Sequence, residues 1–141
     1  MMQTRLNPYL EFKGNARAAM EFYKSVLGGK LDMSTYKEYH ASQNPSDDNK
    51  IMHAMLENEA GLTFMGADAM DEAEYREGNN YAMSLSGYDP DLLRNYFEKL
   101  SAGGTVIVPL AQAPWGDTFG MFVDKFGVKW MVNIAGQQPN P

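Results

Sequence analysis

The sequence predicts an α+β fold built from two copies of one βαβββ unit. Three observations predict it. Eight short segments alternate apolar and polar residues at the two-residue period of a half-buried strand. Two longer segments carry apolar residues at helical spacing. The order strand, helix, strand, strand, strand occurs twice, with matching landmark residues in each copy.

Residues 7–12 alternate as the first strand, and Lys13-Gly14-Asn15 break it. Asn15 is placed to cap a helix over residues 16–27, whose Ala19, Met20, Tyr23, Val26 and Leu27 share one face. Gly28-Gly29 stop that helix. Residues 31–38 read as a strand, and residues 40–50, with Asn44-Pro45-Ser46-Asp47-Asp48, as a polar loop. Strands over residues 52–57 and 62–66 follow, turned by Asn58-Glu59-Ala60-Gly61. Residues 67–79 form an acidic connector whose Asp68, Asp71, Glu72 and Glu74 read as a solvated run.

The second copy begins with a strand over residues 81–86. Asp89-Pro90 open a helix striped by Leu92, Leu93, Tyr96, Phe97 and Leu100, and Gly103-Gly104 close it. Residues 105–110 are rich in β-branched side chains. Residues 119–123 and 128–133 form a hairpin turned by Asp124-Lys125-Phe126-Gly127. The modules therefore span residues 5–66 and 80–135 of a single domain, with a polar, frayed tail over 136–141. Laid on each other, Asn7 falls on Asn80, Leu10 on Met83, Phe12 on Leu85, Phe22-Tyr23 on Tyr96-Phe97, and Gly29 on Gly103. In the closing hairpins, Gly61-Leu62-Thr63-Phe64-Met65 falls on Gly127-Val128-Lys129-Trp130-Met131.

Composition narrows the function classes. The chain has 141 residues, 12 Lys and Arg against 18 Asp and Glu, and a net charge of −6. Such a balance argues against a nucleic-acid or anionic-membrane surface. No apolar run is long enough to span a bilayer, and none follows the N-terminus as a secretory signal would require, so a cytoplasmic protein is expected. With no cysteine there is no disulfide, cysteine zinc site or thiol nucleophile. No phosphate-cradling glycine loop or nucleotide fingerprint is present.

Strand alternation assigns the faces. If Leu10, Phe12, Met83, Leu85, Phe64 and Trp130 are core, the opposite face carries Asn7, Tyr9, Glu11, Thr63 and Met65 in one copy. In the other it carries Asn80, Ala82, Ser84, Lys129, Met131 and Asn133. Two such units would form a curved mixed sheet, a half-barrel cup with helices outside. The core set is uniformly apolar and the cup set is mixed, as expected of a binding face.

Several segments carry a resemblance: Asn7-Pro8-Tyr9-Leu10, residues 18–29 with Phe22-Tyr23 and Leu27-Gly28, and His53-Ala54. The narrowest is Asp124-Lys125-Phe126-Gly127-Val128-Lys129-Trp130-Met131-Val132-Asn133. With the paired βαβββ order, these resemble the vicinal oxygen chelate superfamily of glyoxalase I, extradiol dioxygenases and the fosfomycin and bleomycin resistance proteins. The closer likeness is to its PhnB-like branch. The resemblance implies a homodimer and a cup that typically holds a divalent metal through the first and last strands of each module. Carried over, the ligand positions are Asn7, Met65, Asn80 and Met131, none of them His, Asp or Glu. Amides and thioethers make poor ligands for the usual divalent ions, so the expectation is no such metal and no cofactor.

The remaining chemistry rests on few residues. His53, with Glu11 as partner, reads as a general acid–base pair or substrate donor. Otherwise His53 bonds a loop carbonyl and Glu11 sits at a solvated rim or pairs with Lys129. His40 reads as a surface residue. Tyr9, Met55, Met65, Ser84, Trp115, Phe119 and Met131 are the candidate ligand-binding residues, with Trp115 either an aromatic lid or a loop anchor and the methionines either an adaptable lining or core filler. The preferred expectation is a small-molecule-binding protein that sequesters its ligand or acts on it without a cofactor. The alternative is a metal-dependent lyase, isomerase or dioxygenase with ligands relocated to His53, Glu11 and Glu57; a third is a scaffold whose dimer face matters more than its cup.

Overall fold

In the computed structural model, which describes residues 4–42 and 44–136, β1 (Tyr9–Phe12), α1 (Ala16–Leu27), β2 (Lys30–Thr35), β3 (Ile51–Glu57) and β4 (Thr63–Asp68) make the first unit. Their sheet has the order β1-β4-β3-β2, with β1 parallel to β4 and the other pairs antiparallel. The second unit repeats this with β5 (Met83–Gly87), α2 (Pro90–Ser101), β6 (Thr105–Gln112), β7 (Thr118–Val123) and β8 (Lys129–Ile134) in the order β5-β8-β7-β6. The chain divides into these two compact units at Arg76 and Glu77. The fold is α+β, two four-stranded mixed sheets each with one helix.

Each helix covers one face of its own sheet. Ala16, Ala19, Met20, Tyr23 and Leu27 of α1 are buried with Leu10, Phe12, Ala54, Leu56 and Phe64, and the Tyr23 ring meets Phe64 edge-on at 5.7 Å. In the second unit, Leu93, Tyr96, Phe97 and Leu100 pack with Met83, Leu85, Phe122, Trp130 and Val132. Phe97 meets Phe122 edge-on at 5.0 Å, and Phe122 stacks on Trp130 at 6.5 Å. The six residues assigned to the core by alternation are all buried. Leu92 is not part of the stripe: it lies one position from Leu93, about 100° around the helix, and is 41% exposed.

The repeat reaches side-chain detail. Asn58 and Asp124 hold the same corner of the two closing hairpins: each accepts, through Oδ1, the backbone N–H four residues on, from Leu62 at 3.0 Å and Val128 at 3.1 Å. The glycine match shifts by one. A Cβ on Gly29 would lie 2.1 Å from Glu57 O, and one on Gly104 would lie 2.1 Å from Val123 O. Gly104, not Gly103, is therefore the structural counterpart of Gly29. The parallel ladders also differ: Met65 lies opposite Tyr9, whereas Met131 lies opposite Ser84, the repeat mate of Glu11. A slide of two residues leaves every side chain on its face.

Element ends depart from the sequence reading for local reasons. β1 starts at Tyr9, after Pro8, which has no N–H to give. β5 starts at Met83, so Asn80 and Ala82 lie before the ladder, as Asn7 does before β1. β2 ends at Thr35 because Glu38 Oε1 accepts from Thr35 N at 3.1 Å while Glu38 N donates to Thr35 Oγ1 at 3.2 Å, closing a turn. The loop of residues 40–50 contains a 3₁₀ turn, Pro45–Asp47. Residues 137–141 of the tail lie outside the described residues.

Asn15 makes no side-chain cap to α1. Asp68 takes that role: it is the buried last residue of β4, and its Oδ1 accepts from Ala16 N at 2.9 Å while Oδ2 accepts from Ile51 N at 2.8 Å. One carboxylate thus ties the start of α1 to the start of β3 and satisfies an N–H that the helix cannot. Asp89 caps α2 as expected, accepting from Leu92 N at 3.1 Å.

Candidate functional site

In the first unit, the sheet face turned away from α1 carries Tyr9, Glu11, His53, Met55 and Met65. Register brings four of them together. Met65 is the direct partner of both Tyr9 and Met55, and His53 precedes Met55 by two residues on the same face. His53 Nε2 lies 3.3 Å from Met65 Sδ, and the His53 and Tyr9 ring centroids are 6.1 Å apart. His53, Met55 and Met65 are half-buried, and Tyr9 is 51% exposed.

Glu11 stands apart from this cluster. It is exposed, as the solvated-rim alternative has it. β4 separates β1 from β3, which puts two strand spacings, roughly 9.5 Å, between their backbones. His53 meets the Met65 thioether rather than a carboxylate. Lys129, considered as a partner for Glu11, donates from Nζ to Asn79 O at 3.0 Å.

Burial, with the Glu11 charge as the lesser cause, pushes the Tyr9 phenol above its ordinary value. Burial also raises Tyr36, helped by Tyr9, Asp68, Glu11 and Asp47, and its hydroxyl donates to Asp68 O at 2.8 Å. Near neutral pH both phenols are neutral donors, not bases.

In the second unit, Ser84, Phe119, Met121, Met131 and Asn133 share the face away from α2, with Met131 opposite both Ser84 and Met121 and Asn133 opposite Phe119. Trp115 stands in the turn before β7, its ring 6.2 Å from Phe119, and is 65% exposed. That exposure does not suit an anchor. The anchor is Asp117: Oδ2 accepts from Asn133 Nδ2 at 2.9 Å and Oδ1 from Gly136 N at 2.8 Å. The Asn133 bond first, then the Gly136 bond, lowers its carboxyl below the ordinary value. Sequence reasoning singled out Trp115 and missed this clamp, although a Gly-Asp pair after a tryptophan is a turn signal.

The residues that the sequence resemblance puts at ligand positions, Asn7, Met65, Asn80 and Met131, suit a hard divalent ion poorly. Two are neutral amides and two are thioethers. Among the described residues, no group of three or more His, Asp or Glu is placed to hold a metal. A separate polar concavity is lined by Asn44, Ser46, Asp47, Lys50, Asp71 and Glu72. Its lysine is already bound by Asp47 at 2.9 Å and Glu72 at 3.7 Å.

Residues 5–132 match the model of the Glyoxalase/Bleomycin resistance protein/Dioxygenase superfamily. The chain belongs to this superfamily. Protein YjdN of Escherichia coli (strain K12) is 32% identical over 147 residues, covering 95% of this chain and 97% of that protein. The crystal structure of protein PA1353 from Pseudomonas aeruginosa superposes with a TM-score of 0.78 at 34% identity, covering 96% of this chain and 100% of that one. A PhnB protein from Bacillus cereus superposes at 0.76 with 25% identity, covering 94% and 100%. The superfamily membership and PhnB-like character expected from the sequence are both found. No helix among the described residues is long and apolar enough to cross a membrane.

Proposed function

We propose that the protein binds a small, partly apolar molecule on its methionine- and aromatic-bearing sheet faces, without a divalent ion at Asn7, Met65, Asn80 and Met131. One observation carries the reading. Tyr9, His53, Met55 and Met65 are gathered by register on a face that the helix leaves open, and remain partly exposed there. Thioethers give such a lining adaptability, aromatic rings give it flat contact area, and His53 and Tyr9 supply the few directed polar groups a binding face needs. Ser84, Phe119, Met131 and Trp115 offer a comparable lining in the second unit. His53, whose ring meets the Met65 thioether, serves as a donor or acceptor to the ligand, and Glu11 as a peripheral charge.

The reading includes a cytoplasmic homodimer, supported by family membership and by exposed Tyr9, Tyr39, Met70, Tyr81 and Tyr88. Sedimentation at micromolar concentration tests the dimer; a single 15.8 kDa species removes it. A thermal-shift screen of dicarbonyls, phosphonates and cationic antibiotics tests binding. The expected result is a compound that raises Tm for the wild type and less for Tyr9→Ala or His53→Ala. No stabiliser in any class, or one indifferent to both substitutions, overturns the reading.

A further inference from the structure

We propose that His53, Met65 and Met55 form a binding site for a soft monovalent cation, Cu(I), on the open face of the first sheet. The contact that points to it is His53 Nε2 at 3.3 Å from Met65 Sδ. A thioether is a poor hydrogen-bond acceptor, but an imidazole nitrogen and a sulfur at this separation suit a shared ion. First-row metal distances of about 2.0 Å to nitrogen and about 2.3 Å to sulfur, at a tetrahedral or trigonal angle, put the two donors about 3.5–3.7 Å apart, a few tenths of an ångström beyond the observed contact.

The third donor comes from the register. Met55 lies directly opposite Met65 on the antiparallel β3–β4 pair and two residues from His53 on the same face. Directly opposed side chains have Cβ atoms about 5 Å apart, and methionine's three rotatable bonds let its sulfur swing toward its partner. The result is one imidazole and two thioethers on neighbouring half-buried positions, with the Tyr9 ring 6.1 Å from that of His53.

The donor chemistry selects the ion. Thioethers favour Cu(I), whereas Mg, Ca and Mn want oxygen ligands. The three donors are neutral, and the carboxylate that register places on this face, Asp32 opposite Met55, is exposed and 3.7 Å from Lys30 Nζ, so a monovalent ion asks least of the site. The second unit supplies an internal control. Met121 and Met131 are opposed in the same way on β7 and β8, but both histidines of the chain, His40 and His53, lie in the first unit. With no cysteine in the chain, copper stoichiometry reports these sites without interference from thiolates. The site shares residues with the ligand-binding face but does not rest on that reading, since the test reads the metal alone.

The test is an anaerobic titration with Cu(I) in competition with a coloured chelator, with Ag(I) as a redox-inert check, on the full chain. One equivalent is expected to bind, with affinity falling at least tenfold in Met65→Leu, Met55→Leu and His53→Ala, and unchanged in Met121→Leu. X-ray absorption on the wild type keeps the test decisive if a variant misfolds: a mixed nitrogen and sulfur shell is expected. No uptake, a shell of nitrogen or oxygen alone, equal loss in Met121→Leu, or a stronger preference for Zn(II) overturns the proposal.

Discussion

The indole N–H of Trp130 donates to Asp124 Oδ2 at 2.9 Å, inside the core of the second unit. The other oxygen of that carboxylate accepts from Phe126 N at 2.8 Å and Val128 N at 3.1 Å. Asp124, Gly127 and Trp130 are the most specific part of the sequence signature, and their work is to close a hairpin. Asp124→Ala leaves three donors without this acceptor. At about 1–3 kcal/mol for a buried unsatisfied group, partly recovered by water, the expected loss is about 2–4 kcal/mol in urea unfolding. Asp124→Asn, which copies Asn58 at the matching corner, is expected to lose less than half as much.

Asp68 gives a second stability test. Its carboxylate serves Ala16 N and Ile51 N from a buried position. Asp68→Ala is expected to cost about 2–4 kcal/mol and to speed hydrogen exchange at the start of α1 and β3. Asn15→Ala, which removes no side-chain cap bond, is expected to change stability by less than about 0.5 kcal/mol.

Gly104→Ala tests the corrected repeat. A Cβ there would lie 2.1 Å from Val123 O and 2.9 Å from Asp124 Cα, so backbone must move. The expected cost is about 2 kcal/mol or more, as for other overpacked sites. Gly103 has a neighbour no nearer than 3.4 Å, but its φ of +81° strains any substituent. Gly103→Asn, a residue tolerant of that region, is therefore expected to be mild, about 1 kcal/mol or less. If Gly103→Asn proves the more damaging of the two, the assignment of Gly104 as Gly29's counterpart fails.

Asp117 sets an acid response. Its carboxyl is lowered below the ordinary 3.8 by Asn133 and then Gly136. A group with a depressed folded value stabilises above its unfolded value, and the benefit disappears as pH falls through the folded one. The clamp should hold at neutral pH and open only below about pH 4. Trp115 emission and the Gly136 amide shift are expected to titrate there in the wild type and to stay flat in Asp117→Asn.

Much of this was legible in the sequence. Period-two and helical patterns gave eight strands, two helices and the core side of Leu10, Phe12, Phe64, Met83, Leu85 and Trp130, because burial on one face leaves a local signature. The repeated element order and the match of Gly61 to Met65 with Gly127 to Met131 exposed the repeat, and the Asn58–Asp124 equivalence emerged only from their hydrogen bonds. What was hidden depends on contacts distant in sequence. Asp68 caps a helix 52 residues away, Glu11 is held from His53 by an intervening strand, and a two-residue slide between ladders is invisible to a pattern that repeats every two residues.

The central claim is a methionine- and aromatic-lined face that binds its ligand without a hard divalent ion. The most direct measurement is the affinity of the strongest screened compound, by calorimetry, for protein stripped with EDTA and then supplied with one equivalent of manganese, zinc, nickel or iron. The account predicts the same Kd within about twofold in every case, since Asn7, Met65, Asn80 and Met131 offer those ions no suitable donors. Binding that vanishes on stripping and returns with one of these metals at one per chain would contradict it.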